Sequence, residues 1–266
     1  LWSPWYVGNS MKDLDKKFGR QRIIDTPVSE NAVTGAAVGA SLCGMRPIVV
    51  HPRMDFMLYA MDPIVNQAAK WSYMFGGQAH PQLTIRAIVN RGGEQGAQHS
   101  QILHSWFSHI PGLRVVMPFS VMDARDLLIS SVLSKDPVIY IDDRWLYEEK
   151  DTWREIKIIE LSQTTPQKIS SGEYLTIISS GYSTKLAQKV NEYFKVLTPE
   201  KTIEIIDLRI INPINMSLIN ESIKKTGRFV VIDGGWKTCG LGSEIISSVV
   251  EEINPKLYNF INFETK

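Results

Sequence analysis

What most constrains this chain is that short, almost wholly apolar runs alternate with helix-period segments from near its start to near its end. The runs are residues 47–51, 83–89, 113–117, 137–141, 174–178, 202–206 and 228–232. Their apolar continuity is that of strands buried on both faces, the pattern of a parallel sheet. Arg22-Ile-Ile-Asp-Thr26 reads as one more short strand before Pro27. Between the runs, apolar residues recur three or four apart over 30–43, 56–75, 99–110, 123–133, 183–194, 216–225 and 242–252. Gly44 stops the first of these helices, and Pro63 bends the second. Strand-helix alternation of this kind predicts an α/β fold. Residues 147–172 break the pattern with charges, prolines and serines. The expected organisation is therefore two mostly parallel-sheet α/β domains, residues 1–147 and 173–266, joined by a linker at 148–172.

Composition narrows the function classes. With 44% apolar residues and 21% charged ones in 266 residues, the chain has enough material for a large core, and disorder is excluded. Lys+Arg 29 against Asp+Glu 28 lacks the basic excess of a surface that tracks phosphates, so no nucleic-acid partner is expected. No apolar run approaches the roughly 20 residues that cross a bilayer, and no signal peptide is visible, so no membrane partner is expected either. Cys43 and Cys239 are the only cysteines. They suit neither a disulfide scaffold nor a thiolate metal site, and a reducing cytoplasm is the expected compartment. The sequence begins at Leu1 without a methionine and reads as trimmed at that end.

In sheets of this kind ligands sit beyond the carboxyl ends of the strands, which directs attention to three turns. Thr26-Pro-Val-Ser-Glu30 puts a carboxylate on the first turn of a helix whose Ala32, Gly35, Ala36, Gly39 and Ala40 form a smooth face. Glu30 there is either a dipole-complementing acid behind a Ser29 cap or a functional group. His51-Pro-Arg-Met-Asp-Phe56 ends a strand in charge and an aromatic ring. Arg53 and Asp55 read as an ordinary exposed pair, and Phe56 either opens a helix core or offers a face to a flat heterocycle. Arg91-Gly-Gly-Glu-Gln-Gly-Ala-Gln-His-Ser100 gathers glycines and polar groups at a helix start. His99 is either a surface histidine or a proton carrier near neutrality. The lysine and hydroxyl of a P-loop are absent.

His99, His104 and His109 fall five apart, about 140° around a helix, so they do not form a metal cluster. Cys239-Gly-Leu-Gly242 has the spacing of a phosphate cradle without the rest of a dinucleotide fingerprint.

Ordered along the chain, several segments closely resemble the beta subunits of pyruvate and branched-chain 2-oxo acid dehydrogenases. They are Pro27-Val-Ser-Glu30, Gly35-Ala-Ala-Val-Gly39, Gly44-Met-Arg-Pro-Ile48, Asp62-Pro-Ile-Val-Asn-Gln-Ala-Ala-Lys70, Tyr73-Met-Phe-Gly-Gly77, Gln98-His-Ser-Gln101 and Pro111-Gly-Leu-Arg-Val-Val-Met-Pro118. Ile206-Asp-Leu-Arg209, Lys225-Thr-Gly-Arg228 and Gly235-Trp-Lys-Thr-Cys-Gly-Leu-Gly242 resemble that family's transketolase-type C-terminal domain.

The resemblance implies a thiamine diphosphate enzyme acting on a small 2-oxo acid, built as α2β2 from this chain, a second copy of it and two alpha-type subunits. The alpha subunit of that family holds the diphosphate and its magnesium through a Gly-Asp-Gly segment. Here Asp233-Gly-Gly235 has the wrong order, as a chain supplying only the pyrimidine half would. By the same resemblance Glu30 shares a proton with the aminopyrimidine ring, Phe56 lies against that ring, and His99 faces substrate and acyl acceptor. Val28 and Tyr73 line the cofactor site. Departures are the charged 51–55 stretch, a shorter loop before Gln98, a later start and an earlier end. Rival expectations are a split transketolase-type subunit moving two-carbon units and a non-catalytic assembly subunit.

Overall fold

A computed structural model describes residues 10–91, 95–253 and 259–260. After a short α1 (Leu14–Phe18), the expected strand at 22–26 is a turn. Ile24 is exposed there, and Pro27 offers no amide to a ladder, so nothing draws this segment into a sheet. Helix α2 (Glu30–Leu42) then leads into β1 (Ile48–His51). The long helical pattern after β1 is broken into α3 (Met54–Met57), a 3-10 turn (Leu58–Ala60), a π-helical turn (Pro63–Ala68) and α4 (Ala69–Met74). Pro63, with no N–H and a bulky ring, forces the helix to widen there.

Next come β2 (Thr84–Val89), a 3-10 turn (Ala97–His99), α5 (His104–Ser108), β3 (Arg114–Val116), α6 (Val121–Leu133) and β4 (Val138–Asp143). The helix expected over 99–110 is confined to α5, because the amide of Gln101 donates to the Asp55 carboxylate instead of to a helical carbonyl. The second unit holds β5 (Gln167–Ser170), β6 (Leu175–Ser179), α7 (Tyr182–Leu197), β7 (Ile203–Asp207), β8 (Ile210–Asn212), α8 (Ser217–Thr226), β9 (Arg228–Ile232), α9 (Leu241–Glu252) and β10 (Asn259–Phe260).

Two five-stranded sheets result, ordered β1-β2-β4-β3-β8 and β10-β9-β6-β7-β5. Every pairing is parallel except β8 on β3 and β5 on β7, the alternation expected of an α/β chain. Strands β5 and β8 were not legible in the sequence. With one apolar residue in β5 and two in β8, neither shows the apolar run that announces the other strands. Through β8 the second unit completes the first sheet, and the Met117 amide donates to the Arg209 carbonyl at 2.9 Å. The Arg209 guanidinium grips Asp123 from α6 through two bonds of 2.8 and 2.9 Å. One apolar core runs through both units, from Met57 and Ile85 past Met117 to Ile178, Leu208 and Ile245.

Candidate active site

Parallel strands all end on the same edge of a sheet, so the turns after β1 and β2 share a neighbourhood with the start of α2, which runs back against β1. The contact that fixes this is Thr34 Oγ1 to His51 Nε2 at 3.3 Å, both residues buried. Burial disfavours a charged imidazole and lowers His51 to about 4, so at neutral pH it is an uncharged partner for the Thr34 hydroxyl. Glu30 lies four residues before Thr34, on the same helix face. Glu30, half-buried, thus opens the helix one turn before the Thr34–His51 contact. Ser29 stands at the N-cap position but its hydroxyl makes no capping bond. The capping reading of Ser29 is thereby corrected, and the first amides of α2 lack that local partner.

On the other side of β1, Phe56 of α3 meets His99 with ring centroids 5.0 Å apart and planes at 90°. These residues come from separate turns, one after each of two neighbouring strands. An edge-to-face pair fixes both rings relative to one another. Asp55, next to Phe56, is 6% exposed and accepts from the Gln101 amide at 3.2 Å and from its side-chain Nε2 at 2.9 Å. The expectation of an exposed Arg53–Asp55 pair is therefore corrected. Arg53 donates instead to Gln95 Oε1, at 3.0 and 2.5 Å. Among the described residues, Asp55 Oδ2, His99 Nδ1 and Ser100 Oγ are buried without a hydrogen-bond partner. Gly92, Gly93 and Glu94 of the glycine-rich turn lie outside the described residues.

Val28, in the turn before α2, is 79% exposed, and Tyr73, on α4, is 89% exposed. The cavities of about 470 Å³, beside Arg114 and Glu252, and about 350 Å³, beside Arg86 and Tyr140, are not lined by Glu30, Phe56 or His99.

Sequence reasoning missed the groups that hold this edge in place. His104, on α5, is buried with its Nε2 2.9 Å from Asp233 Oδ1 of the other unit. Burial pushes Asp233 up, but His104 and the amides of Gly235 and Gly242 outweigh it and hold the carboxyl at about 2. The Gly242 amide is therefore committed to Asp233, which answers the suggestion of a phosphate cradle at 239–242. A Cβ at Gly235 would lie 2.8 Å from His104 Cε1, so a side chain there would displace the His104 ring from Asp233. An acid followed by two glycines at a strand end was the available signal. Arg91, after β2, donates to Asp143 at 2.6 Å and lies 5.2 Å from the Tyr182 ring across the junction. No cluster of three His, Cys, Asp or Glu suited to a metal exists among the described residues. None of the described helices is long and apolar enough to cross a membrane.

Comparison with known proteins agrees with this architecture. A family model described as transketolase, pyrimidine binding domain, matches residues 7–150, and one described as transketolase, C-terminal domain, matches residues 166–264. The chain is 39% identical over 246 residues to the acetoin:2,6-dichlorophenolindophenol oxidoreductase subunit beta of Cupriavidus necator, covering 91% of this chain and 70% of that protein. It is 37% identical over 238 residues to the pyruvate dehydrogenase E1 component subunit beta of Rickettsia bellii, covering 89% and 72%. Among solved structures, one titled split gene transketolase, inactive beta4 tetramer, superposes with a TM-score of 0.76 at 19% identity over 92% of this chain and 76% of that one. At that identity the superposition speaks for the fold alone.

Proposed function

Because this chain belongs to the family of beta subunits of thiamine diphosphate-dependent 2-oxo acid dehydrogenases, with their transketolase-type pyrimidine-binding and C-terminal domains, we propose that it forms one wall of an active site completed by an alpha-type subunit. The observation that carries the reading is the meeting of Phe56 and His99 at the sheet edge that also bears Glu30. The residues present fit the pyrimidine end of the cofactor. Phe56 offers a half-buried ring to a flat heterocycle, Glu30 a half-buried carboxylate, and His99 a buried nitrogen without a partner. In this reading the diphosphate and its magnesium are held by the partner chain.

When bound, thiamine diphosphate supplies the carbon nucleophile and electron sink that decarboxylation of a 2-oxo acid needs. Everything else in the scheme is protein chemistry. Glu30 shares a proton with a nitrogen of the pyrimidine and sets which tautomer that ring adopts, work that suits a carboxylate shielded from bulk water. Phe56 orients the ring. His99, held edge-on to Phe56, presents its imidazole to the substrate carbonyl and to the acyl acceptor, where it donates or accepts a proton. Val28 and Tyr73, exposed on the single chain, would line the cofactor site in the assembled complex. A second copy of the chain completes the α2β2 assembly.

The deciding experiment is co-expression with the adjoining alpha-type subunit and assay of 2-oxo acid decarboxylation with and without Glu30→Gln. Activity should fall sharply in the variant while the complex still assembles. Equal activity would remove Glu30 from the scheme, and a preference for ketose phosphate donors would move the chain to two-carbon transfer. Acetoin belongs in the same assay, since the Cupriavidus necator protein is named for it.

A further inference from the structure

The carboxylate that the sequence placed on the surface is buried at the site. Asp55 of α3 precedes Phe56, and its Oδ1 takes both the backbone amide and the side-chain amide of Gln101, two residues beyond His99. The clasp therefore joins the same two turns as the ring pair, one residue away on the α3 side and two on the loop side. Upstream the loop is also held by the Arg53–Gln95 bonds and downstream by Leu103 in the core, which leaves the clasp as the polar restraint nearest His99 on its far side. Between the 3-10 turn that ends at His99 and α5, which starts at His104, no helical ladder holds residues 100–103. Gly96, with φ at +84°, gives the chain a pivot just before it. A buried oxygen accepting two donors is a strong tether, because breaking it strands a polar acceptor away from water.

We propose that Asp55 is the positioning residue for His99, locking the loop so that the imidazole keeps its edge-on geometry against Phe56. The proposal deepens the reading of His99 given above, yet its first test does not depend on that reading. Diethyl pyrocarbonate modification of His99, followed by mass spectrometry on the full chain, reports how firmly the loop is held. Gln101 is exposed, so Gln101→Ala removes one arm of the clasp without threatening the core. His99 should be modified several-fold faster in Gln101→Ala and roughly tenfold faster in Asp55→Ala, while Asp55→Asn, which keeps an acceptor at the same place, stays near the wild-type rate. Equal rates in all four proteins would overturn the proposal. So would an Asp55→Asn rate as fast as Asp55→Ala.

In the reconstituted complex, Gln101→Ala should lower kcat with the KM for thiamine diphosphate unchanged; a change confined to KM would count against a positioning role. A complex that takes up no thiamine diphosphate would overturn the proposed function and leave the modification rates to judge the clasp.

Discussion

Asp233 Oδ1 and His104 Nε2 stand 2.9 Å apart across the junction of the two units, and both are largely shielded from water. The last domain thus grips the helix that follows the His99 loop. The grip also carries a pH signature. Asp233 is held at about 2, below its ordinary 3.8, so its contribution is present at and above pH 4 and is lost as pH falls through 2. The difference corresponds to about 2 kcal/mol. Asp233→Asn should lower the urea-derived unfolding free energy at pH 7 by that order and flatten the acid limb of the stability profile; an unchanged free energy at both pH 7 and pH 3 would refute this.

If His99 moves protons at the substrate, then His99→Ala in the reconstituted complex should cut kcat by about a hundredfold or more. Phe56 and Glu30 are untouched, so calorimetric binding of thiamine diphosphate should stay within a few-fold of wild type. Loss of binding alongside kcat would make His99 a cofactor-holding residue instead.

The alternation of strands and helices was legible because each main strand contains an unbroken apolar run, as in Ile48–Val50 and Val138–Ile141. Less legible was anything decided by a partner distant in sequence. Asp55 looked like a surface acid because its partner Gln101 is forty-six residues away, and the 100–103 segment looked helical because side-chain periodicity says nothing of an amide diverted to a carboxylate. Strand β8 was hidden for a like reason, since three residues adopt a strand only where β3 offers an edge. In the site, Glu30, Phe56 and His99 were named from motif resemblance; what residue types alone could not supply was that two of them touch.

His51 should make the seat of α2 sensitive to acid. Its pKa is depressed from 6.5 to about 4 by burial, so the stability it confers is complete above pH 6.5 and is lost as pH falls through 4. His51→Gln keeps a hydrogen-bonding partner for Thr34 and has no charge to acquire. Between pH 6.5 and 4 the wild-type melting temperature should fall more steeply than that of the variant, and parallel curves would contradict the assignment.

Asp207 should act in the opposite direction. It is fully buried at the end of β7, and burial first, then the neighbouring Asp123 charge, raise it to about 8 against the opposing pull of the Thr184 hydroxyl and Arg209. A raised carboxyl favours folding while protonated. Its contribution is complete below pH 4 and drains away as pH climbs through 8, a loss on the order of a few kcal/mol. From pH 4 to 6.5 this slope opposes that of His51, so the two partly cancel; above 6.5 His51 no longer titrates and Asp207 acts alone. Asp207→Asn retains an acceptor for Thr184 but cannot ionise. Near pH 4 the variant should unfold at a urea concentration close to that of wild type, and by pH 9 it should be the more stable of the two. A wild-type profile that stays flat from pH 7 to 9, or a variant that loses stability in parallel with it, would show that the Asp207 carboxyl ionises without cost to the fold.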